Sequence, residues 1–569
     1  MTVLAESLEA RLAEARALVA SGRYGQGIAS LRGLLAESPG LAQAQLLLGQ
    51  ALEAQSDRAG AEDAFGRALA LDPSLSDAAV RLARLLLARR RADAAVAILE
   101  PLAMGPDPDL DLLTTFGLAL KAAGRLEASA KAYRLATGVA PESGVAEHNL
   151  AGALAEVHSF AESEAAAARA FAKGLDAPET WLVRGRALQG LGEIAAAEAA
   201  FSEAIKRRPA YAEAHADLAQ LVWMKTEDVG LATRVLDAAL KAHPWDAPLS
   251  LAKSRLLEYV GDIDGAYEVV AEAIRRGNQD PTLRISAAAL IAAKEPDSAL
   301  FHAQKAFAMA PGLGPAKTAL CLANLAAGRA DVAATIAEEL CQEWPLDQYP
   351  ICLAATAWRI LGDPRYPSLY DYERLVRADT IETPPGWPTL QAYLADLAAR
   401  LRDLQRLKGH PIGQSLRQGA QTGQSLAMSD DPVIKAMFTA LHPHIAGYIA
   451  LLGLTDDVLG RRATESYRFS GAWSVSLRPG GRHVDHLHPM GWISSAMHIV
   501  VPAAVDRGRE GWLTFGEPGL PTIPKLDAEY FVKPQAGRLV LFPSYMWHGT
   551  VPFGGEEPRL SVAFAVLPG

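Results

Sequence analysis

Residues 124–136 read Gly124-Arg-Leu-Glu-Ala-Ser-Ala-Lys-Ala-Tyr-Arg-Leu-Ala136. Alanine falls where helices pack closely, with larger apolar residues between, as expected of one helix laid against another. The stretch is one beat of a longer rhythm. Pro39, Pro73, Asp107, Pro141, Leu175, Pro209, His243, Gly277, Pro311 and Pro345 form a series with a step of 34 residues. Where Asp107, Leu175 and His243 break the run of prolines, Pro106, Pro178 and Pro244 lie within three residues. Gly22, Gly124, Gly192 and Gly328 each stand 17 residues before a member of the series. Half a period per helix and turn predicts two helices per repeat, over about residues 5–360 and nine or ten repeats.

This register resembles the tetratricopeptide repeat family. A helix pair of that kind cannot bury its apolar face alone, so the resemblance implies stacking into a superhelix with a concave groove that holds a peptide or a protein surface. The alternative is an array that only spaces or dimerises the rest of the chain.

After Leu361 the composition changes. Pro364, Tyr366, Pro367, Tyr370 and Tyr372 precede Pro384-Pro-Gly-Trp-Pro388, punctuation that marks a domain boundary. Apolar spacing predicts helices over 389–408 and 432–453, with the polar, glycine-containing segment from His410 to Thr422 between them as a loop. From about Tyr467 short apolar runs alternate with Gly/Pro turns, predicting a β-sandwich or jelly roll. The expected domains are a solenoid over 1–360, a helical and loop lead-in over 361–466, and a β core over 467–569.

The candidate chemistry lies in that last part. Gly480 to His488 reads G-G-R-H-V-D-H-L-H, and His548 and then Arg559-Leu-Ser561 follow. Side chains two apart share one face of a strand. Paired histidines, a distant histidine and a positive charge beyond it are what a non-haem iron site with an anionic co-substrate requires. Arg559 lies eleven residues beyond His548, the spacing of the next antiparallel strand, and its planar fork suits a carboxylate. Ser561 falls on the same face as a supporting donor.

Residues 365–569 resemble the 2-oxoglutarate/Fe(II) oxygenases that follow tetratricopeptide arrays in bacteria. The resemblance rests on Gln414–Thr422, His486-Leu-His-Pro-Met-Gly-Trp492, Gly511-Trp-Leu-Thr-Phe-Gly516, Pro534–His548 and Arg559–Phe564. It implies a double-stranded β-helix, Fe(II), 2-oxoglutarate as co-substrate, O₂, and oxidation of a peptide or protein substrate. His486, His548 and Arg559 are the implied catalytic set, and Arg559 with Ser561 the implied co-substrate contacts. The superfamily's approach to the metal, laid on Gly480 and His483, puts His488 where a carboxylate is usual.

Three ligand sets therefore stay open: His486, His488 and His548; His486 and His548 with water, as in the aspartyl/asparaginyl β-hydroxylases; or a slipped His483-x-Asp485 pair. His498 stands where the family usually has tyrosine and reads as a half-buried strand residue. Gln414, Arg417, Gln421 and Thr422 are candidates for a substrate cleft, and Trp473, Trp492 and Trp547 for its walls or for plain core. His410, His442 and His444 show no partner pattern. The competing reading is an interaction scaffold carrying an inactive oxygenase-like domain.

Composition narrows the partners. The 569 residues carry a formal charge of −10 with no long basic run, which argues against nucleic acid. Residues 1–20 intersperse Glu6, Glu9, Arg11, Glu14 and Arg16 among apolar positions, the pattern of an amphipathic helix rather than a signal peptide. No segment offers the apolar length of a membrane span. Cys321, Cys341 and Cys352 lack metal-type spacing and read as reduced structural thiols of a cytoplasmic protein.

Overall fold

A computed structural model describes residues 2–405, 407–453, 457–464 and 466–569, with side chains from Leu8 onward; Met1, the Glu6 side chain and Arg406 lie outside the described residues. The chain divides into two compact units, Met1–Leu188 and Gln189–Gly569.

Among its described residues the first unit consists of helices joined by short turns, with no strand. Its helices begin at Ala42, Ser76, Leu110, Gly144 and Pro178, each 34 residues after the last, with a partner helix between successive members. Small residues make the close approaches. A side chain on Gly49 would meet the Phe65 ring at 2.4 Å, and one on Gly117 would meet Tyr133 at 2.8 Å. Phe65, Leu99, Leu113 and Phe116 are buried in one shared apolar cluster.

The second unit continues the rhythm with helices Ala212–Thr226, Ala247–Tyr259, Pro281–Ile291, Gly314–Ala326 and Gln348–Leu361. The last ends at Gly362, which takes the left-handed conformation (φ 68°) that glycine adopts without steric cost. No strand occurs between residues 40 and 340 among the described residues.

Nine strands follow: β1 (Arg377–Thr380), β2 (Leu416–Gln421), β3 (Tyr467–His483), β4 (Ile493–Val500), β5 (Leu513–Phe515), β6 (Tyr530–Val532), β7 (Arg538–Pro543), β8 (His548–Thr550) and β9 (Arg559–Pro568). They form a six-stranded sheet in the order β1-β7-β4-β9-β3-β2 and a three-stranded sheet in the order β6-β5-β8, all antiparallel. This two-sheet order is that of a jelly roll. Helices Leu390–Asp403 and Pro432–Leu452 share one apolar core with the larger sheet, where Tyr393, Leu397, Met437 and Ile445 lie with Met497, Phe542 and Val562.

Two expectations are corrected. The segment from His410 to Thr422 is not all loop, because Leu416–Gln421 pairs with β3 as an edge strand. Its polar side chains are compatible with that place, since an edge strand needs only main-chain partners on one side and one buried face. The pairing shifts between Arg417 and Gly419, where Gln418 takes a φ of 56°. The helix expected over 389–408 ends at Asp403.

Direct hydrogen bonds join the later repeats to the β domain within this unit. Trp547 Nε1 donates to Thr356 Oγ1 at 3.0 Å, the Gln348 amide donates to the Pro489 carbonyl at 2.9 Å, and the Ile412 amide donates to Gln220 Oε1 at 3.0 Å. Among the described residues no helix is long and apolar enough to cross a membrane, and the three cysteines are free thiols.

Candidate metal and co-substrate site

The chain leaves β3 at His483 and turns so that His486 forms a bridge with the first residue of β8. The His486 amide donates to the His548 carbonyl at 2.9 Å, and the His548 amide donates back at 3.0 Å. Main-chain pairing thus fixes the two rings side by side, with centroids 4.1 Å apart. His488 is held one step on, its amide donating to the Ser544 carbonyl at 3.0 Å, and its ring lies 5.2 Å from each of the other two. One ligand atom from each of His486, His488 and His548 falls within 4.8 Å of the others.

Hydrogen bonding selects the tautomers. Nδ1 of His486 lies 2.9 Å from the Val484 carbonyl, and Nδ1 of His548 lies 2.9 Å from the Met546 carbonyl. A carbonyl only accepts, so each Nδ1 carries the proton and each Nε2 keeps a lone pair for a metal. Burial holds the rings neutral. It pushes His486 down to about 4, His488 down to about 3 with help from His486, and His548 well below the usual histidine range. Three neutral nitrogen donors suit Fe(II) and leave coordination positions for other ligands.

Asp485 is outside this group. Its carboxylate faces Thr514 Oγ1 at 3.5 Å, and burial with nearby Glu517 raises it to about 6. His483 turns Nδ1 toward Ser415 Oγ at 2.9 Å, and its ring centroid is 6.1 Å from that of His486. The structure therefore assembles the three-histidine set and not the slipped pair.

Arg559 opens β9, the strand after β8, but β9 pairs with β3 and β4 in the larger sheet. His548 and Arg559 thus reach one cavity from different sheets. Arg559 is 2% exposed. Nη1 donates to the Gly511 carbonyl at 2.7 Å, Nη2 donates to His498 Nδ1 at 3.2 Å, and Nε has no partner. Among the described residues no carboxylate pairs with it, and desolvation lowers it to about 10. A buried, unpaired cation is costly unless an anion joins it. Ser561 is also buried and lines the same cavity.

Sequence reasoning missed two features here. His498 is fully buried rather than half-buried, and it accepts from Arg559. The cavity, about 1320 Å³, is walled on one side by the repeats, through Gln220, Arg255, Glu258 and Tyr259. Of the polar 410–422 segment, Gln414, Arg417 and Gln421 line this cavity, while Thr422 Oγ1 accepts from the Ser474 amide at 3.1 Å. Trp473 lines it too. Trp492 is core, donating Nε1 to the Leu459 carbonyl at 3.1 Å, and Trp547 is buried against the last repeat. His442, expected to lack a partner, meets the Tyr467 hydroxyl at 2.7 Å.

Residues 471–565 match the family described as "Putative 2OG-Fe(II) oxygenase", and residues 12–76 and 182–247 match the tetratricopeptide repeat family. The chain carries tetratricopeptide repeats and, behind them, a domain that matches the family described as "Putative 2OG-Fe(II) oxygenase". No curated protein matches the chain. Similar solved structures include YrrB, a tetratricopeptide protein with an unusual peptide-binding site, at 15% identity over 32% of this chain and 95% of that one, TM-score 0.30. Yeast Tom70 is similar at 13% identity over 64% of this chain and 97% of its own, TM-score 0.32. A tetratricopeptide repeat protein from Parabacteroides merdae is similar at 12% identity over 43% and 97%, TM-score 0.36.

The neutral rings of the oxygenase domain predict a pH dependence. An unfolded histidine titrates near 6.5, whereas His486 and His488 stay neutral down to about 4 and about 3. Between those values the unfolded chain binds protons that the folded one refuses, so stability is complete above about 6.5 and falls as pH drops toward 4. Urea unfolding of the metal-free protein should show a midpoint that declines steadily from about pH 7 to about pH 5. A flat midpoint would contradict neutral, buried rings.

Proposed function

We propose that the C-terminal domain is a 2-oxoglutarate- and Fe(II)-dependent dioxygenase that oxidises a peptide or protein substrate lying against the later repeats. The observation that carries this reading is one cavity lined by the three histidines, by Arg559 with Ser561, and by the inner helices of the repeats. Its volume, about 1320 Å³, exceeds what a five-carbon diacid needs and leaves room for a substrate side chain. The donor set fits the metal, since one nitrogen from each of three neutral rings converges and the Nε2 lone pairs of His486 and His548 are left free by their Nδ1 partners.

In this reading His486 and His548 hold Fe(II) through Nε2, and His488 through one ring nitrogen. Bound iron would supply O₂ chemistry in which 2-oxoglutarate loses its C1 carboxylate as CO₂, one oxygen atom entering succinate and the other the substrate. Arg559 takes the distal carboxylate of the co-substrate on its unpaired edge, and Ser561 adds a neutral donor. The carbonyls of Val484 and Met546 keep protons on the Nδ1 atoms and so keep the Nε2 atoms free. The repeat wall, from Gln220 to Tyr259, limits water access and selects the substrate.

Incubation of the iron-loaded protein with 2-oxoglutarate, labelled oxygen gas and a peptide library tests this. Mass spectrometry should find labelled oxygen in particular peptides, dependent on 2-oxoglutarate. Label found only in succinate, or in free small molecules, would refute a peptide substrate.

A further inference from the structure

The Arg559 guanidinium is gripped from two directions, by the Gly511 carbonyl at 2.7 Å and by His498 Nδ1 at 3.2 Å. A guanidinium has donors only, so the His498 nitrogen facing it must be the lone-pair nitrogen. The proton therefore sits on Nε2, which is buried and has no partner, as Arg559 Nε is buried and has none. His498 is fully buried on β4, directly opposite Ser561 of β9 in the strand register, two residues along from Arg559. Its main chain is pinned as well, because the Gly537 amide donates to the His498 carbonyl at 2.8 Å.

A long, flexible side chain that ends in a planar fork of N–H donors would otherwise sample several orientations in a cavity of this size. Gly511, which precedes β5 of the smaller sheet, and His498, in the larger sheet, hold Nη1 and Nη2 from separate elements. That grip leaves the Nε edge free. A carboxylate read bidentately needs the fork fixed in one plane, and a fork already ordered before binding loses less entropy on binding.

Resting on the co-substrate reading above, we infer that His498 is a positioning residue, whose Nδ1 lone pair orients the Arg559 guanidinium for the distal carboxylate of a dicarboxylate co-substrate. An imidazole does this without adding charge. An acid at the same place would occupy the fork and compete with the ligand, and a cation would repel it.

The test compares His498→Leu, which removes the acceptor, with His498→Asn, whose Oδ1 replaces the Nδ1 lone pair at nearly the same position. Calorimetric titration of 2-oxoglutarate into the Mn(II)-loaded protein reads binding without turnover. His498→Leu should weaken 2-oxoglutarate binding about tenfold, the loss of one hydrogen bond to a charged group, and His498→Asn should restore most of it. Mn(II) affinity should be unchanged in both. Unchanged 2-oxoglutarate affinity in His498→Leu would overturn the inference. So would equal losses in both variants accompanied by a lower unfolding midpoint, which would mark His498 as a packing residue. If the wild type and Arg559→Ala bind 2-oxoglutarate equally, the co-substrate reading itself fails, and the role of His498 with it.

Discussion

His548→Ala is expected to lower Fe(II) affinity by roughly two orders of magnitude or more, beyond the ten- to hundredfold cost of losing an outer-shell partner. The ring supplies one of three convergent nitrogens, and among the described residues no fourth group joins them, Asp485 being turned toward Thr514 and His483 toward Ser415. The fold should survive, because the bridge to His486 is made by main-chain atoms that alanine keeps. Anaerobic titration with Fe(II), followed by circular dichroism of the same sample, separates metal loss from unfolding. His488→Ala sharpens the comparison. A loss as large as that of His548→Ala supports a three-histidine site. Near-normal binding would leave His486 and His548 with water in the third place.

Arg559→Ala is expected to weaken 2-oxoglutarate binding ten- to a hundredfold while Fe(II) binding persists. A charge-assisted, bidentate contact contributes about 1.5–3 kcal/mol, and about 1.4 kcal/mol is a factor of ten. The substitution also orphans the Gly511 carbonyl and His498 Nδ1, so some stability loss is expected. Arg559→Lys controls for this. It keeps the charge but cannot present a planar fork, and should bind 2-oxoglutarate between wild type and alanine. Equal affinity in all three proteins would remove Arg559 from the co-substrate site.

The repeats were legible because their energetics are local. Each helix pair buries its face against its neighbours, so proline and glycine positions at fixed spacing are enough to place helices starting at Ala42, Ser76 and Leu110. The histidine cluster was legible for a similar reason, since His486 and His488 lie within one short segment and His548 ends an apolar run. What escaped depends on contacts between distant segments. β1 is exposed at all four residues and joins the sheet by main-chain pairing with β7, so no apolar pattern announces it. β2 hid behind its polar side chains. The His498–Arg559 contact joins residues 61 apart, and alternation along β4 gives a face but no partner. The wall built by Gln220 and Tyr259 depends on how the later repeats dock on the β domain, which periodicity does not encode. Asp485 shows the converse, since its His483-x-Asp485 spacing is nominally right while its carboxylate points elsewhere.

A working 2-oxoglutarate-dependent iron site built on the three histidines and Arg559 would turn over its co-substrate. The deciding measurement is succinate formed by the Fe(II)-loaded protein from 2-oxoglutarate in oxygenated buffer, beside His548→Ala and metal-free controls. Succinate is expected in step with 2-oxoglutarate consumed, abolished in both controls. Fe(II) and 2-oxoglutarate that bind to the wild type without any succinate above the controls, even with peptide substrates present, would contradict it and favour an interaction scaffold with an inactive oxygenase fold.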